Sequence, residues 1–169
     1  TDQLPPFSDY AMAGRTYRYF SGDPLFPFGH GLSYTTFAYA NLIVPSRIEA
    51  GEGLTVSVDV ENTGQLAGDE VVQLYVSHPA ASVPVPIRAL QGFARVFLEP
   101  GERRTVSFDL TARQLSLIDA RFRRVVAPGV IEISVGGKQP GFSGHADAHT
   151  TGTLSARLEI VGTTVEIAQ

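Results

Sequence analysis

His145-Ala146-Asp147-Ala148-His149 sets two imidazoles and a carboxylate within five residues, the donor types that hold zinc. The run lies among glycines and small polar residues rather than on a helix that would align positions four apart, so no metal is assigned to it. His30 has a different setting, a Gly-His-Gly turn between aromatics, where a hydrogen-bonded structural role outweighs contact with a ligand. Gly141-Phe142-Ser143-Gly144 has neither the spacing nor the strand-turn-helix context of a nucleophile elbow. No phosphate-loop or dinucleotide fingerprint is present, and nothing in the chain calls for a cofactor.

The carboxylates read as solvated groups. Asp59, Asp109, Glu132 and Glu159 fall on the polar positions of alternating runs, and Asp69, Glu70 and Glu102 flank turn signals. The basic residues are more suggestive. Lys138 is the one lysine, so arginine carries nearly all the positive charge. Arg15 and Arg18 are interleaved with Tyr17, Tyr19 and Phe20, a mixture suited to an interdomain contact, because guanidinium stacks on rings and pairs bidentately with carboxylates. Arg88 is a weaker anchor of the same kind, equally well explained as a solvated side chain packing its stem.

These candidates must be positioned by two dissimilar regions. Of sixteen aromatics (10 Phe and 6 Tyr), ten lie between Phe7 and Tyr39, alternating with prolines and glycines. No period of 3.6 or 2 runs through residues 1–34, so they form an irregular arm. Its most concentrated stretch, Pro24 to Phe37, holds Phe26, Phe28, His30 and Tyr34, too much apolar surface for a loop meant to lie in water. The arm either folds back on its own domain or lies in a groove against a neighbouring one, and the second reading is preferred.

From Thr36 the period becomes 2. Leu54, Val56, Val58 and Val60 alternate with Thr55, Ser57 and Asp59, and the pattern returns at Val72 to Val76, Val106 to Leu110, Ile131 to Val135 and Leu154 to Ile160. Asn62-Thr63-Gly64, Pro100-Gly101 and Pro128-Gly129 supply turns between them. Many short half-buried strands predict an all-β, Ig-like antiparallel sandwich. Thr111 and Gln114 form a capping-box pair that predicts about one helical turn over Thr111 to Leu117. The connection from Pro79 to Leu90 carries three prolines and is expected to be extended.

Composition narrows the partners. The net charge of -4, from 17 acidic and 13 basic residues, offers no basic stripe for nucleic acid. No apolar run approaches the roughly 20 residues that span a bilayer, so no membrane is expected. No signal segment is visible, and the absence of cysteine fits a cytoplasmic or an exported soluble protein equally, so no compartment is indicated.

PLFPFGHGLSYTTF (Pro24 to Phe37) and GRTYRYF (Gly14 to Phe20) resemble the segment that joins the α/β sandwich domain to the fibronectin type III-like domain in family 3 glycoside hydrolases. ENTGQLAGDEVVQLYV (Glu61 to Val76), RALQGF (Arg88 to Phe93), LEPGERRTVSFDL (Leu98 to Leu110) and APGVIEISVGG (Ala127 to Gly137) follow in that family's order. The resemblance implies an accessory domain of a retaining β-glucosidase or β-xylosidase that acts on β-linked oligosaccharides. It implies upstream barrel and α/β sandwich domains as partners, against which this domain is braced near the active-site entrance. Retaining hydrolysis needs two carboxylates about 5–5.5 Å apart, which in that family belong to upstream sequence, so no catalytic residue is expected here.

The resulting division is 1–34 as the tail of a preceding α/β domain with its linker, 35–140 as the fibronectin type III-like sandwich, 141–152 as a flexible loop and 153–169 as the final strand and tail. The interdomain candidates are Arg15, Tyr17, Arg18, Tyr19, Phe20, Phe26, Phe28, His30, Tyr34 and Arg88. A stand-alone carbohydrate-binding module is the alternative, weakened by the absence of Trp and by aromatics gathered on an arm rather than a sheet face. An Ig-like adhesion domain is another, weakened by the single copy and the apolar arm.

Overall fold

Alternating valines set the sandwich. In the computed structural model, which describes residues 5–142 and 149–168, β3 (Leu54–Asn62) buries Leu54, Val56, Val58 and Val60 and turns the residues between them outward. It lies between β1 (Phe37–Ile43) and β6 (Arg103–Leu110), both antiparallel to it, in a three-stranded sheet. The facing sheet has five strands in the order β2 (Arg47–Glu49), β10 (Thr153–Val161), β9 (Gly129–Gly136), β4 (Gly68–Ser77), β5 (Ala89–Leu98). Its inner face contributes Val72, Leu74, Val76, Ile131, Ile133, Val135, Leu158 and Ile160 to a single core with the β3 valines. A small third sheet, β11 (Val165–Glu166), β8 (Arg124–Val126) and β7 (Leu117–Ile118), closes one side. The β2–β10 pairing is parallel; the other described pairings are antiparallel.

The Asn-Thr-Gly turn after β3 has a structural cause. Asn62 is fully buried, and its side chain donates to the carbonyls of Leu66 (2.8 Å) and Leu98 (3.0 Å). Its Oδ1 accepts from Thr35 Oγ1 (2.6 Å) and from the Gly64 N–H (3.0 Å). One amide thereby satisfies both of its ends and ties the segment before β1, the β3–β4 loop and the end of β5 together. A Cβ on Gly64 would collide with Thr35 Oγ1, which explains the glycine.

Two expectations are corrected. Thr111 to Leu117 is not an α-helix: the capping contact forms, with Gln114 Oε1 accepting from the Thr111 N–H and hydroxyl at 2.9 Å, but the backbone closes i→i+3 bonds in successive turns. Ser116 Oγ donates to the Arg113 carbonyl and β7 begins at Leu117, so the turn has no room to propagate. The one described helical turn, α1 (Thr16–Tyr19), lies instead in the arm.

Glu70, read as a solvated turn residue, points into the end of the sandwich and is 8% exposed. It accepts from Tyr39 Oη (2.7 Å) and from Thr151 Oγ1, joining β1, β4 and the approach to β10. Of the 141–152 loop, residues 143–148 lie outside the described residues, and with them His145 and Asp147.

Candidate docking surface formed by the aromatic arm

From Val72 to Val76, β4 is buried on both faces. Val72, Leu74 and Val76 enter the core, while Gln73 and Tyr75 point the other way yet are 5% and 1% exposed. The arm covers them. Tyr17, from α1, meets Tyr75 edge-on with ring centroids 6.4 Å apart and stacks on Phe28 at 3.9 Å. The Pro27–His30 turn, closed by the His30 N–H on the Pro27 carbonyl (3.0 Å), lays Gly29 against Gln73.

Polar contacts fix the register of this seat. Gln73 Nε2 donates to the carbonyls of Gly29 (3.4 Å) and Gly137 (3.1 Å), while its Oε1 accepts from Tyr75 Oη (2.5 Å). The Phe28 N–H donates to Gln139 Oε1 at 3.1 Å. On the other side, the Ile87 N–H donates to the Arg18 carbonyl (2.7 Å) and Arg88 Nη1 to the Tyr17 carbonyl (3.3 Å). The β4–β5 register slips between Leu74 and Tyr75, leaving Gln91 as the extra residue, and next to it the Leu90 N–H donates to Tyr17 Oη at 3.2 Å. Burial pushes the Tyr75 phenol up, with Tyr17 adding to the effect and Arg88 opposing it. Burial lowers the Arg88 guanidinium, opposed by Tyr75.

The ten residues singled out by sequence therefore separate. Tyr17, Phe28 and Arg88 meet at the seat, with Arg18 held there through its carbonyl. Phe20, Phe26 and Phe28 line, with Pro24, Tyr17 and Gln139, a shallow cavity of about 340 Å³. Phe26 tilts onto His30 at 5.0 Å, and His30 Nδ1 is buried without a partner among the described residues. Arg15 is occupied within the arm by the Asp9 carbonyl and carboxylate. Tyr19 is half-buried beside a second cavity, and Tyr34 does not join the group at all.

Tyr34 is 98% exposed, and so nearly are Phe7 (96%), Leu32 (90%) and Leu25 (85%). The arm thus has side chains seated on its own sheet and large apolar side chains with no cover among the described residues. Sequence reasoning missed Gln73, Tyr75 and Gln139. The near-continuous run Val71-Val72-Gln73-Leu74-Tyr75-Val76 was the available signal for a strand covered on both sides. Among the described residues, no helix is long and apolar enough to cross a membrane.

Comparison with known proteins fits this architecture. Residues 70–139 match the model of the fibronectin type III-like domain. A β-xylosidase of Formosa agariphila is 47% identical over 130 residues, which is 76% of this chain and 18% of that protein. A periplasmic β-glucosidase of Salmonella typhimurium is 35% identical over 147 residues, 79% of this chain and 19% of that protein. The structure of a β-glucosidase from Erythrobacter marinus superposes with a TM-score of 0.73 at 37% identity, covering 95% of this chain and 20% of that one. The chain spans no more than a fifth of the length of these relatives. Residues 70–139 of the sandwich therefore match the fibronectin type III-like domain, and the chain around them is similar to a segment of β-glucosidases and a β-xylosidase, among them a family 3 β-glucosidase of Bifidobacterium adolescentis at 30% identity over 79% of this chain and 18% of that one, with a TM-score of 0.66.

Proposed function

We propose that this chain is a non-catalytic accessory domain of a retaining β-glycosidase acting on β-glucosides or β-xylosides, and that the uncovered face of its arm packs against the enzyme's catalytic domains. The single observation that carries this is the division of the arm. Its inner face is locked to the sheet by directional hydrogen bonds, while Phe7, Leu25, Leu32 and Tyr34 present large apolar side chains to solvent. Exposed apolar surface of that extent marks an interaction site. The relatives' greater length supplies a partner in the same polypeptide.

On this reading residues 1–34 are the boundary with a preceding α/β domain, and the domain contributes stability and placement to the active-site entrance rather than reacting groups. The test compares the 169-residue chain with the complete gene product on nitrophenyl β-glucoside and β-xyloside, each with and without Tyr34→Ser and Leu32→Ser. Turnover is expected from the complete protein alone, and the paired substitutions are expected to lower its melting temperature while leaving that of the 169-residue chain unchanged. Turnover by the 169-residue chain would refute the non-catalytic assignment. Equal melting of the complete protein with and without the substitutions would refute the docking face.

A further inference from the structure

A second cavity, of about 420 Å³, opens between α1, the connection that leads into β5, and the turns before β7. Its charged lining is entirely cationic. Arg18, Arg113 and Arg124 border it together with His78, and no Asp or Glu does. That is unusual for a chain with more acids than bases. Arg15, Arg95, Arg103, Arg104 and Arg123 each pair with a carboxylate, whereas Arg18, Arg113 and Arg124 make no ion pair among the described residues.

The three arginines come from separate parts of the chain, and local bonds hold them there. The Arg18 carbonyl is fixed by the Ile87 N–H. Arg124 pairs with Ile118 across the β7–β8 ladder, and its Nη1 donates to Ser116 Oγ at 3.0 Å. That hydroxyl donates in turn to the Arg113 carbonyl at 2.6 Å. Gln114, also in the wall, is already committed, with Nε2 on the Gln91 carbonyl and Oε1 on Thr111. Burial holds His78 toward its neutral form, so it adds no charge of its own. The donors left to meet an occupant are the guanidiniums, whose planar forks match a carboxylate.

We propose that this cavity is a binding site for the carboxylate of an organic acid. The remaining wall says that the carboxylate comes attached to carbon: the Tyr19 ring, Pro84, Pro86 and Leu117 offer apolar surface beside the cations. A sugar acid and an acidic side chain of a packed partner both satisfy this chemistry. The site does not depend on the arm's outer face, so it stands or falls separately from the docking of that face.

The test is a titration of the 169-residue chain, followed by amide chemical shifts, with D-glucuronate, with propionate and with uncharged D-glucose. At low ionic strength a carboxylate is expected to bind saturably at one site near Ser116 and Leu117, D-glucose is not, and added salt is expected to weaken the binding. Arg124→Gln and, separately, Arg113→Gln are expected to weaken it about tenfold, the loss of one charged hydrogen-bonding group. Arg157→Gln, on the exposed face of β10, is expected to bind as the parent does. Tighter binding of D-glucuronate than of propionate assigns the site to a free sugar acid; equal or tighter binding of propionate assigns it to an acidic side chain. The proposal is overturned if neither carboxylate saturates, if D-glucose binds as well as D-glucuronate, or if natively folded Arg113→Gln binds like the parent.

Discussion

Gly29→Ala isolates the seat of the arm. Gly29 has φ +77, and a Cβ there would run into the Gln73 amide. Left-handed backbone costs a residue with a side chain about 1–2 kcal/mol. Gln73 cannot yield freely, because it is 5% exposed and bonded to Gly29, Gly137 and Tyr75. Displacing its amide forfeits two or three hydrogen bonds at about 1 kcal/mol each, for a sum of roughly 3–5 kcal/mol. The sandwich core has no part in this, so the cheapest relief is local: the arm lifts from β4 while both sheets stay intact. The amides of Ile87 and Leu90, whose acceptors are the Arg18 carbonyl and Tyr17 Oη, then report the opening. Their hydrogen exchange should accelerate by about a hundredfold or more, since each 1.4 kcal/mol is tenfold, while core amides of β3 exchange as before. Gly31→Ala, with ordinary φ and open space where the Cβ would stand, is the control and should change nothing. Unchanged exchange at Ile87 and Leu90 in folded Gly29→Ala would refute the claim that the Gly29–Gln73 contact holds the arm.

Asn62→Ala strips partners from the Leu66 and Leu98 carbonyls, the Gly64 N–H and Thr35 at once; urea unfolding should show a loss of about 3–5 kcal/mol, and a loss below 1 kcal/mol would remove Asn62 from its role as a hub. Glu70→Gln tests the buried carboxylate. Burial raises its pKa above the ordinary 4.5, more than the bonds from Thr151, Tyr39 and the Val71 backbone lower it. The folded state therefore holds the proton more tightly than the unfolded chain, so this contribution is full below pH 4.5 and fades as pH rises through the folded pKa. The stability of Glu70→Gln relative to the parent should grow from pH 4 toward neutrality, and a difference that shrinks over that range would contradict the burial argument.

The sandwich was legible because each strand of the smaller sheet has one wet face. Val56, Val58 and Val60 could be read as inward from Thr55, Ser57 and Asp59 without any knowledge of the partner sheet. That logic failed at β4, where the second cover is a segment over forty residues earlier in sequence and the contacts are polar as well as aromatic. Glu70 misled for a related reason: its neighbours Gly68 and Asp69 look like a turn, while the hydroxyls that solvate it inside come from Tyr39 and Thr151. The Thr111–Gln114 pair shows the converse, a local signal whose hydrogen bonds formed without the helix it usually begins.

The two faces of the arm follow from two kinds of interaction. Hydrogen bonds are directional, so a seat made of them fixes where the chain enters the sandwich: Phe28 to Gln139 spans 111 residues and Leu90 to Tyr17 spans 73. Apolar contact is not directional and supplies adhesion without register. An arm that took its register from the partner would leave the domain free to pivot about its own linker. Because Gln73, Tyr75 and Gln139 hold the inner face, Tyr34 and Leu32 are carried on a segment whose neighbouring turn is already placed relative to β4. In the proposed assembly, burying that outer face would therefore orient the whole sandwich rather than merely tether it, and this is why substitutions in the seat and on the outer face should compound when both are present in the complete protein but not in the 169-residue chain.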